Sequence, residues 1–406
     1  MTTLKFPENI IKRDYYLSEI RPFMRKNLIK VLTGQRRVGK SYILYQIINE
    51  ILNDEPDASI IYINMEDLGF SSIQNAHDLD KYVRSHFQND RMNYLFIDEI
   101  QEIDQFEKAL RSLLLKENID VYCTGSNAKL LSGELSTLLS GRYIEIQIYS
   151  LSYIEFLRFH NLADSNDALD RYFRFGGLPY LIHLDQHDKV LQDYLNSIYL
   201  AIIYRDVISR YNIRAIKLLE QLVAFLANNV GSLFSAKAIS DYLKSQQIKI
   251  APNQIQNYIE YLSNAFIIHK VSRYDIVGKK IFETGSKNYF ENTGIRNAII
   301  GYKPDDIGKV LENVVFNHLI SCGYDVKVGT LKANEIDFVC EKNAEKIYVQ
   351  VALMLRETNT IKREFGNLLQ INDNYRKIVV TMDSFSGGTY DGIEHYHIRD
   401  FLLSLK

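Results

Sequence analysis

At 406 residues the chain is long enough for two to four domains, and its 46% apolar residues can supply each with a core. Lys plus Arg number 48 against 50 Asp plus Glu, a net charge of -2, so no global basic field marks a nucleic-acid partner and any such contact needs a local patch. Cys123, Cys322 and Cys340 match no metal or redox spacing, and no apolar stretch has the length of a signal core or of the roughly 18 residues a membrane helix needs, so the expectation is a cytoplasmic protein with buried thiols and no membrane partner.

Residues 1–155 alternate short apolar runs with amphipathic segments: LIKVLTG, YILYQIINEIL, IIYINME, LDKYVRSHF, YLFIDEI, FEKALRSLLL, VYCTGSN and YIEIQIYSL. That alternation predicts an α/β fold in which helices cover a parallel sheet. Residues 156–210 turn helical, broken by FGGLP at 175–179, and read as a helical lid. Residues 211–283 give three amphipathic helices, with Ser235 at a cap position and Pro252 in a first turn, then the strand-like runs FIIHKVSRY and KKIFET; this is a winged-helix outline. Residues 284–406 give a helix, GKVLENVVFNHLISCG, three strands, a helix, a strand, and a closing strand and helix.

The chemistry begins after the first strand. Gly34, Gln35, Arg36, Arg37, Val38, Gly39, Lys40 and Ser41 form GxxxxGKS, with a helix opening at Tyr42 directly after. Glycines let backbone N–H groups turn toward phosphates at a helix N-terminus, Lys40 reaches the β- and γ-phosphates, and Ser41 offers a hydroxyl to Mg²⁺. The run YLFIDEIQ ends in Asp98 and Glu99, which beside a phosphate loop suit a Mg²⁺ ligand acting through water and a group that polarises the attacking water. A third strand, VYCTGSN, ends at Ser126 and Asn127, either of which suits a γ-phosphate sensor; the same residues also suit a plain turn.

Together GQRRVGKS, LFIDEIQ, TGSNAKLLS, LSGRY, FGGLPYL, ENVVFNHL and EIDFV resemble the AAA+ type of P-loop ATPase, in particular STAND-like bacterial and archaeal ATPases fused to a C-terminal nuclease-like domain. The resemblance implies a P-loop NTPase parallel sheet with a lid, a winged-helix domain and a mixed α/β restriction-endonuclease-like domain. It implies ATP and Mg²⁺ as cofactors and slow hydrolysis in a nucleotide-dependent switch. By the same resemblance Arg142 meets the γ-phosphate from its own subunit or a neighbour, and Pro179 packs on the nucleotide; an ion pair and a loop between helices are the plain alternatives.

In residues 211–283 the local balance is basic, through Arg214, Lys217, Lys237, Lys244, Lys249, Lys270, Arg273, Lys279 and Lys280. Asn253, Gln254, Gln256 and Asn257 open the third helix, as a base-reading helix would have them. DNA and a protein partner, including a second copy of the chain, both remain open. The C-terminal element order resembles the PD-(D/E)xK nuclease fold, with Glu312 matching its helix acid and Asp337 its strand acid. Where its ExK triplet belongs stand Gln350, Val351 and Ala352; an amide is a poor ligand for a hard cation, and no lysine evidently replaces the missing one, so the expectation is a nuclease fold without catalysis. The alternatives are an ATP-regulated, metal-dependent DNA nuclease and a protein-interaction scaffold without nucleic acid.

Overall fold

The computed structural model describes residues 7, 9–128, 139, 141–332, 334–355, 358–383 and 388–404, with backbone alone for 282–284 and 358–363. Lys129–Ser132 of TGSNAKLLS and Ser140 of LSGRY therefore lie outside the described residues. The chain forms two compact units, Met1–Tyr149 with Asn264–Phe266, and Ser150–Ser263 with Ile267–Lys406.

The first unit runs α1 (Asp14–Ile20), β1 (Ile29–Thr33), α2 (Lys40–Asp54), β2 (Ser59–Asn64), α3 (Ala76–His86), β3 (Asn93–Asp98), α4 (Phe106–Leu113), β4 (Ile119–Gly125) and β5 (Tyr143–Gln147). The strands form one parallel sheet in the order β2-β3-β4-β1-β5. Every residue of β1, β3 and β4 is buried, as a parallel sheet covered on both faces requires. Leu79 and Val83 of α3 and Ala109, Leu110 and Leu113 of α4 pack on Val31, Ile63, Leu95, Ile97 and Val121. Each such large side chain contributes roughly 1.5–3 kcal/mol by leaving water. β4 stands between β1 and β3, so the strand ending at Gly125 separates the phosphate loop from the strand ending at Asp98.

The same sheet carries a buried ion pair. Lys30 and Asp120, both fully buried, are joined directly; Asp120 also accepts bonds from Tyr122 Oη (2.7 Å) and the Arg25 N–H (2.8 Å), and Lys30 donates to Leu28 O (2.8 Å). Burial pushes the Lys30 ammonium below its ordinary pKa while Asp120 pulls it back up.

The second unit starts with helices: α5 (Tyr153–His160), α6 (Asn166–Phe175), α7 (Asp188–Ala201) with a wide π-helical turn over Ile202–Ser209, α8 (Ile216–Asn228), α9 (Ala236–Ser245) and α10 (Pro252–Asn264). Caps set their starts. Ser152 and Glu155 form a reciprocal capping box, and Ser235 accepts from Ala238 N–H (3.1 Å), as the sequence predicts. The chain continues through β6 (Ile268–Asp275), β7 (Lys280–Phe290), α11 (Thr293–Ile300), α12 (Ile307–Ser321), β8 (Asp325–Leu331), β9 (Asn334–Lys342), β10 (Glu345–Val351), α13 (Thr358–Leu369), β11 (Arg376–Thr381), β12 (Gly388–Tyr390), β13 (Ile393–His397) and α14 (Ile398–Ser404).

Two findings depart from the expected layout. β7 runs on to Phe290, well past the strand end expected near Thr284; Gly285, at φ +81°, sits inside the strand. The β6–β7 hairpin is also continuous with the C-terminal strands, because β6 pairs in parallel with β8, placing Arg273, Tyr274 and Asp275 opposite Val328, Gly329 and Thr330. One eight-stranded sheet results, in the order β12-β13-β11-β10-β9-β8-β6-β7, and the expected boundary at 283/284 falls within β7. The outer edge of β6 is thereby paired rather than left with open N–H and C=O groups. α11, expected with the C-terminal module, packs on α6, α7 and α8.

Candidate nucleotide site and a buried acidic cluster

The phosphate loop is held by backbone geometry that side chains would block. Gly34 has φ +140°, and a Cβ there would lie 2.1 Å from Ile148 O; Gly39, at φ +98°, opens α2. Lys40 is buried in the first turn, its Nζ donating to Gly34 O (2.9 Å) and Gln35 O (3.1 Å). Arg13, 3% exposed, donates through Nη1 to Val38 O (3.0 Å) and Tyr149 O (3.0 Å), tying the loop to both ends of its unit. Gln35 is fully buried and its amide donates to Phe266 O (2.8 Å), the residue just before Ile267 and β6. Arg36 pairs with Glu66 (3.2 Å).

Across β4, Asp98 and Glu99 meet the loop with pKa values shifted in opposite directions. Asp98 accepts bonds from Thr124 Oγ1, Ser41 and Tyr62 Oη (3.4 Å); burial raises its pKa, and the Ser41 and Thr124 bonds partly oppose that. Glu99 is as deeply buried, yet Lys40 and Arg36 outweigh the desolvation and hold its carboxylate below the ordinary range, aided by Gln101 and by Ser126 Oγ (3.3 Å). Glu99 also sits at φ +57°, a left-handed conformation that is strained for a non-glycine residue, and Thr124 Oγ1 accepts its N–H (2.9 Å). A hydroxyl and a carboxylate beside a phosphate loop are hard oxygen donors, so Ser41 and Asp98 fit Mg²⁺.

The second unit gathers another set of charges. Lys287 of β7, 3% exposed, points its Nζ at Glu335 (2.8 Å), Glu312 (3.0 Å) and Asp337 (3.7 Å), and Tyr289 Oη donates to Glu312 (2.6 Å). Asp337 accepts the Val351 N–H (2.8 Å), and Gln350 Oε1 accepts the Asp337 N–H (3.2 Å). Burial first, and then repulsion from Glu312, push the Asp337 carboxyl up to about 8 against the pull of Lys287. Among the described residues no group of three or more metal-capable side chains is spaced to hold an ion. An ammonium already among the acids and an amide at Gln350 do not fit a divalent cation.

Residues 26–157 match the family model described as an AAA domain, and residues 166–306 match a domain of unknown function, DUF8612. An uncharacterized protein of Haemophilus influenzae is 37% identical over 97% of this chain and 99% of its own length. The uncharacterized protein MJ1544 of Methanocaldococcus jannaschii is 32% identical over 95% of this chain and 88% of its own. The chain belongs to this family of AAA-domain proteins. AMPPCP-bound DnaA from Aquifex aeolicus covers 63% of this chain and 89% of its own at 16% identity, but a TM-score of 0.31 adds nothing to the fold argument.

Within the AAA domain the expected residues Gly34–Ser41, Asp98 and Glu99 converge, and Ser126 reaches Glu99 while Asn127 is buried near it in sequence. Tyr42 is 45% exposed on α2. Arg142 is exposed at the start of β5, its carbonyl accepting from Ile29 N–H at the opposite end of β1 from the phosphate loop, about 15 Å away along five strand residues. Pro179 opens a short 3₁₀ turn, Pro179–His183, in the second unit.

Three contributors escape the sequence reading. Arg13 has no local signal. Thr124 has its place at a strand end, but its role needs the strand order. Lys287 corrects the expectation that no lysine joins Glu312 and Asp337: it comes from β7, outside the strands where one was sought, and its only mark in sequence is a lone charge in SKNYF, two residues before Tyr289. The side chains of Lys362 and Arg363, on α13, lie outside the described residues.

Proposed function

We propose that the protein is an ATP-binding switch with slow hydrolysis, and the observation that carries this reading is the unequal pair beside Lys40. Against the desolvation of burial, Lys40 and Arg36 favour the charged form of Glu99, as a residue that orients and polarises water needs, while Asp98 is held by Ser41 and Thr124. Ser41 and Asp98 would hold Mg²⁺, which when bound neutralises charge on the phosphate oxygens. The protein's own part is to cradle the phosphates with the loop amides and Lys40, and to hold water against Glu99 within a shell of Gln101 and Ser126. Lys40→Ala should abolish ATP binding, while Glu99→Gln should keep binding and slow hydrolysis about 10²–10⁴-fold. Normal turnover in both variants would overturn the assignment.

The switch reading is supported by Gln35, whose buried amide ties the phosphate loop to Phe266 O within the first unit. ATP and ADP then differ in what they ask of that loop, which is the differential affinity a switch needs. Arg142, exposed and distant from its own loop, is assigned to a neighbouring subunit's γ-phosphate. Mixing inactive Arg142→Ala with inactive Lys40→Ala chains should then restore hydrolysis; separate inactivity after mixing would refute a shared site.

In the second unit α8, α9 and α10 with the β6–β7 hairpin, and Phe234 bridged antiparallel to Ser286, support a winged helix. Arg214, Lys217 and Lys249 line one open basic cavity there, which favours DNA contact, and a salt titration of duplex binding tests it through the slope of affinity against salt. The C-terminal part is read as a nuclease-like fold whose acids Lys287 neutralises. Mn²⁺-dependent DNA cleavage that disappears in Asp337→Ala would reverse this.

A further inference from the structure

We propose a second ligand site, for a small phosphorylated molecule that also carries a hydroxyl donor, of the class of a sugar phosphate, in the cavity between the first turn of α9 and the β6–β7 hairpin. The cavity measures about 280 Å³, room for one small ligand, and is lined by residues of α9, α10, β6 and β7. Its floor is set by strand register. Lys270 stands directly opposite Asn288, and Ser272 opposite Ser286, so these four side chains share one face of the hairpin. The intervening Lys287 and the following Tyr289 point to the other face, where both meet Glu312, which fixes the parity independently.

Asn288 is 3% exposed, lines the cavity, and its Oδ1 has no hydrogen-bond partner among the described residues. A buried amide oxygen without a donor is rare enough to call for one, and a ligand hydroxyl answers it. The opposite wall is cationic. Ser235 caps α9 by accepting from Ala238 N–H, and the earlier N–H groups of that turn have no acceptor within the helix, so the positive end of a ten-residue helix opens here. Lys237 and Lys270 flank it, neither with an ion-pair partner among the described residues, and no carboxylate is among the described lining. A phosphate at the α9 turn and a hydroxyl at Asn288 together satisfy both walls, whereas inorganic phosphate satisfies one.

The test uses the full chain carrying Lys40→Ala, so that the phosphate loop does not take the probe, titrated by calorimetry with ribose 5-phosphate, inorganic phosphate, ribose and a short DNA duplex. Ribose 5-phosphate should bind saturably and more tightly than phosphate or ribose. The Lys237→Gln/Lys270→Gln double variant, altered only at exposed side chains, should weaken it about tenfold or more, and Asn288→Leu should abolish its advantage over inorganic phosphate. Absence of saturable binding, binding unchanged in the double lysine variant, or ribose binding as tightly as its phosphate would each overturn the proposal. So would lysine-dependent binding of the duplex alone, which would make the face a nucleic-acid contact.

Discussion

Replacing Asp337 with Asn removes one titrating proton while keeping an acceptor for the Val351 N–H, and its consequence can be worked from the cluster. In the folded protein the carboxyl titrates at about 8; in the unfolded chain it titrates near ~3.9. The folded pKa is the raised one, so the stability this group contributes is fully present below the unfolded value and is lost as pH rises through the folded value. Between pH 6 and pH 8 the folded state retains most of that proton, and integrating the difference gives a loss of about 2 kcal/mol. Asp337→Asn has no proton to lose there. Urea titrations read by circular dichroism at several pH values, with hydrogen exchange on peptides covering β9 and β10 to assign the transition, should show wild type losing stability across this range relative to the variant. Parallel pH profiles for the two proteins would refute the raised carboxyl and with it the account of the cluster as three acids sharing one ammonium and one bound proton.

Other perturbations test separate parts of the structure. Asp120→Asn leaves the Lys30 ammonium buried without its counter-charge and should cost about 3–5 kcal/mol, seen as a lowered thermal midpoint. Gly34→Ala puts a Cβ against Ile148 O, so ATP affinity measured by equilibrium titration should collapse more than in a substitution at exposed Tyr42. Thr124→Val removes the hydroxyl shared by Asp98 and the Glu99 N–H; hydrolysis should fall roughly tenfold or more while nucleotide affinity changes little. Lys287→Met leaves Glu312, Asp337 and Glu335 without their shared cation, and the shift of the Asp337 titration to still higher pH should be visible in the same urea series.

What could be read in the sequence was local. Eight contiguous residues carry the phosphate loop, and a strand end carries Asp98 and Glu99, because the chemistry needs those groups adjacent along the chain. The helix cap at Ser235 was equally legible, since a cap acts within one turn. The rest depends on pairing between distant segments. Nothing near Arg13 says that its guanidinium will reach Val38 and Tyr149, and β4 is no different in composition from a strand at the sheet edge. The run KKIFET gives no sign that its strand continues through Gly285, because a glycine at positive φ ends some strands and bends others, and only the partner strand decides which. Lys287 was missed in the same way, because a site was sought on the strands that usually supply it, while the ammonium arrives from a hairpin whose neighbour in the sheet begins after two intervening helices.

The pairing of β6 with β8 has a kinetic meaning as well. The hairpin closes early through a four-residue turn, but its second edge waits for a partner more than fifty residues downstream, a loop that must be ordered before the contact repays it. The strands from β6 to β13 thus share one sheet. A chain cut between β7 and α12 would release a hairpin with a bare edge and leave Glu312, Glu335 and Asp337 without the ammonium of Lys287. During synthesis that same edge has no strand to pair with until β8 emerges, and an unpaired edge is a template for association.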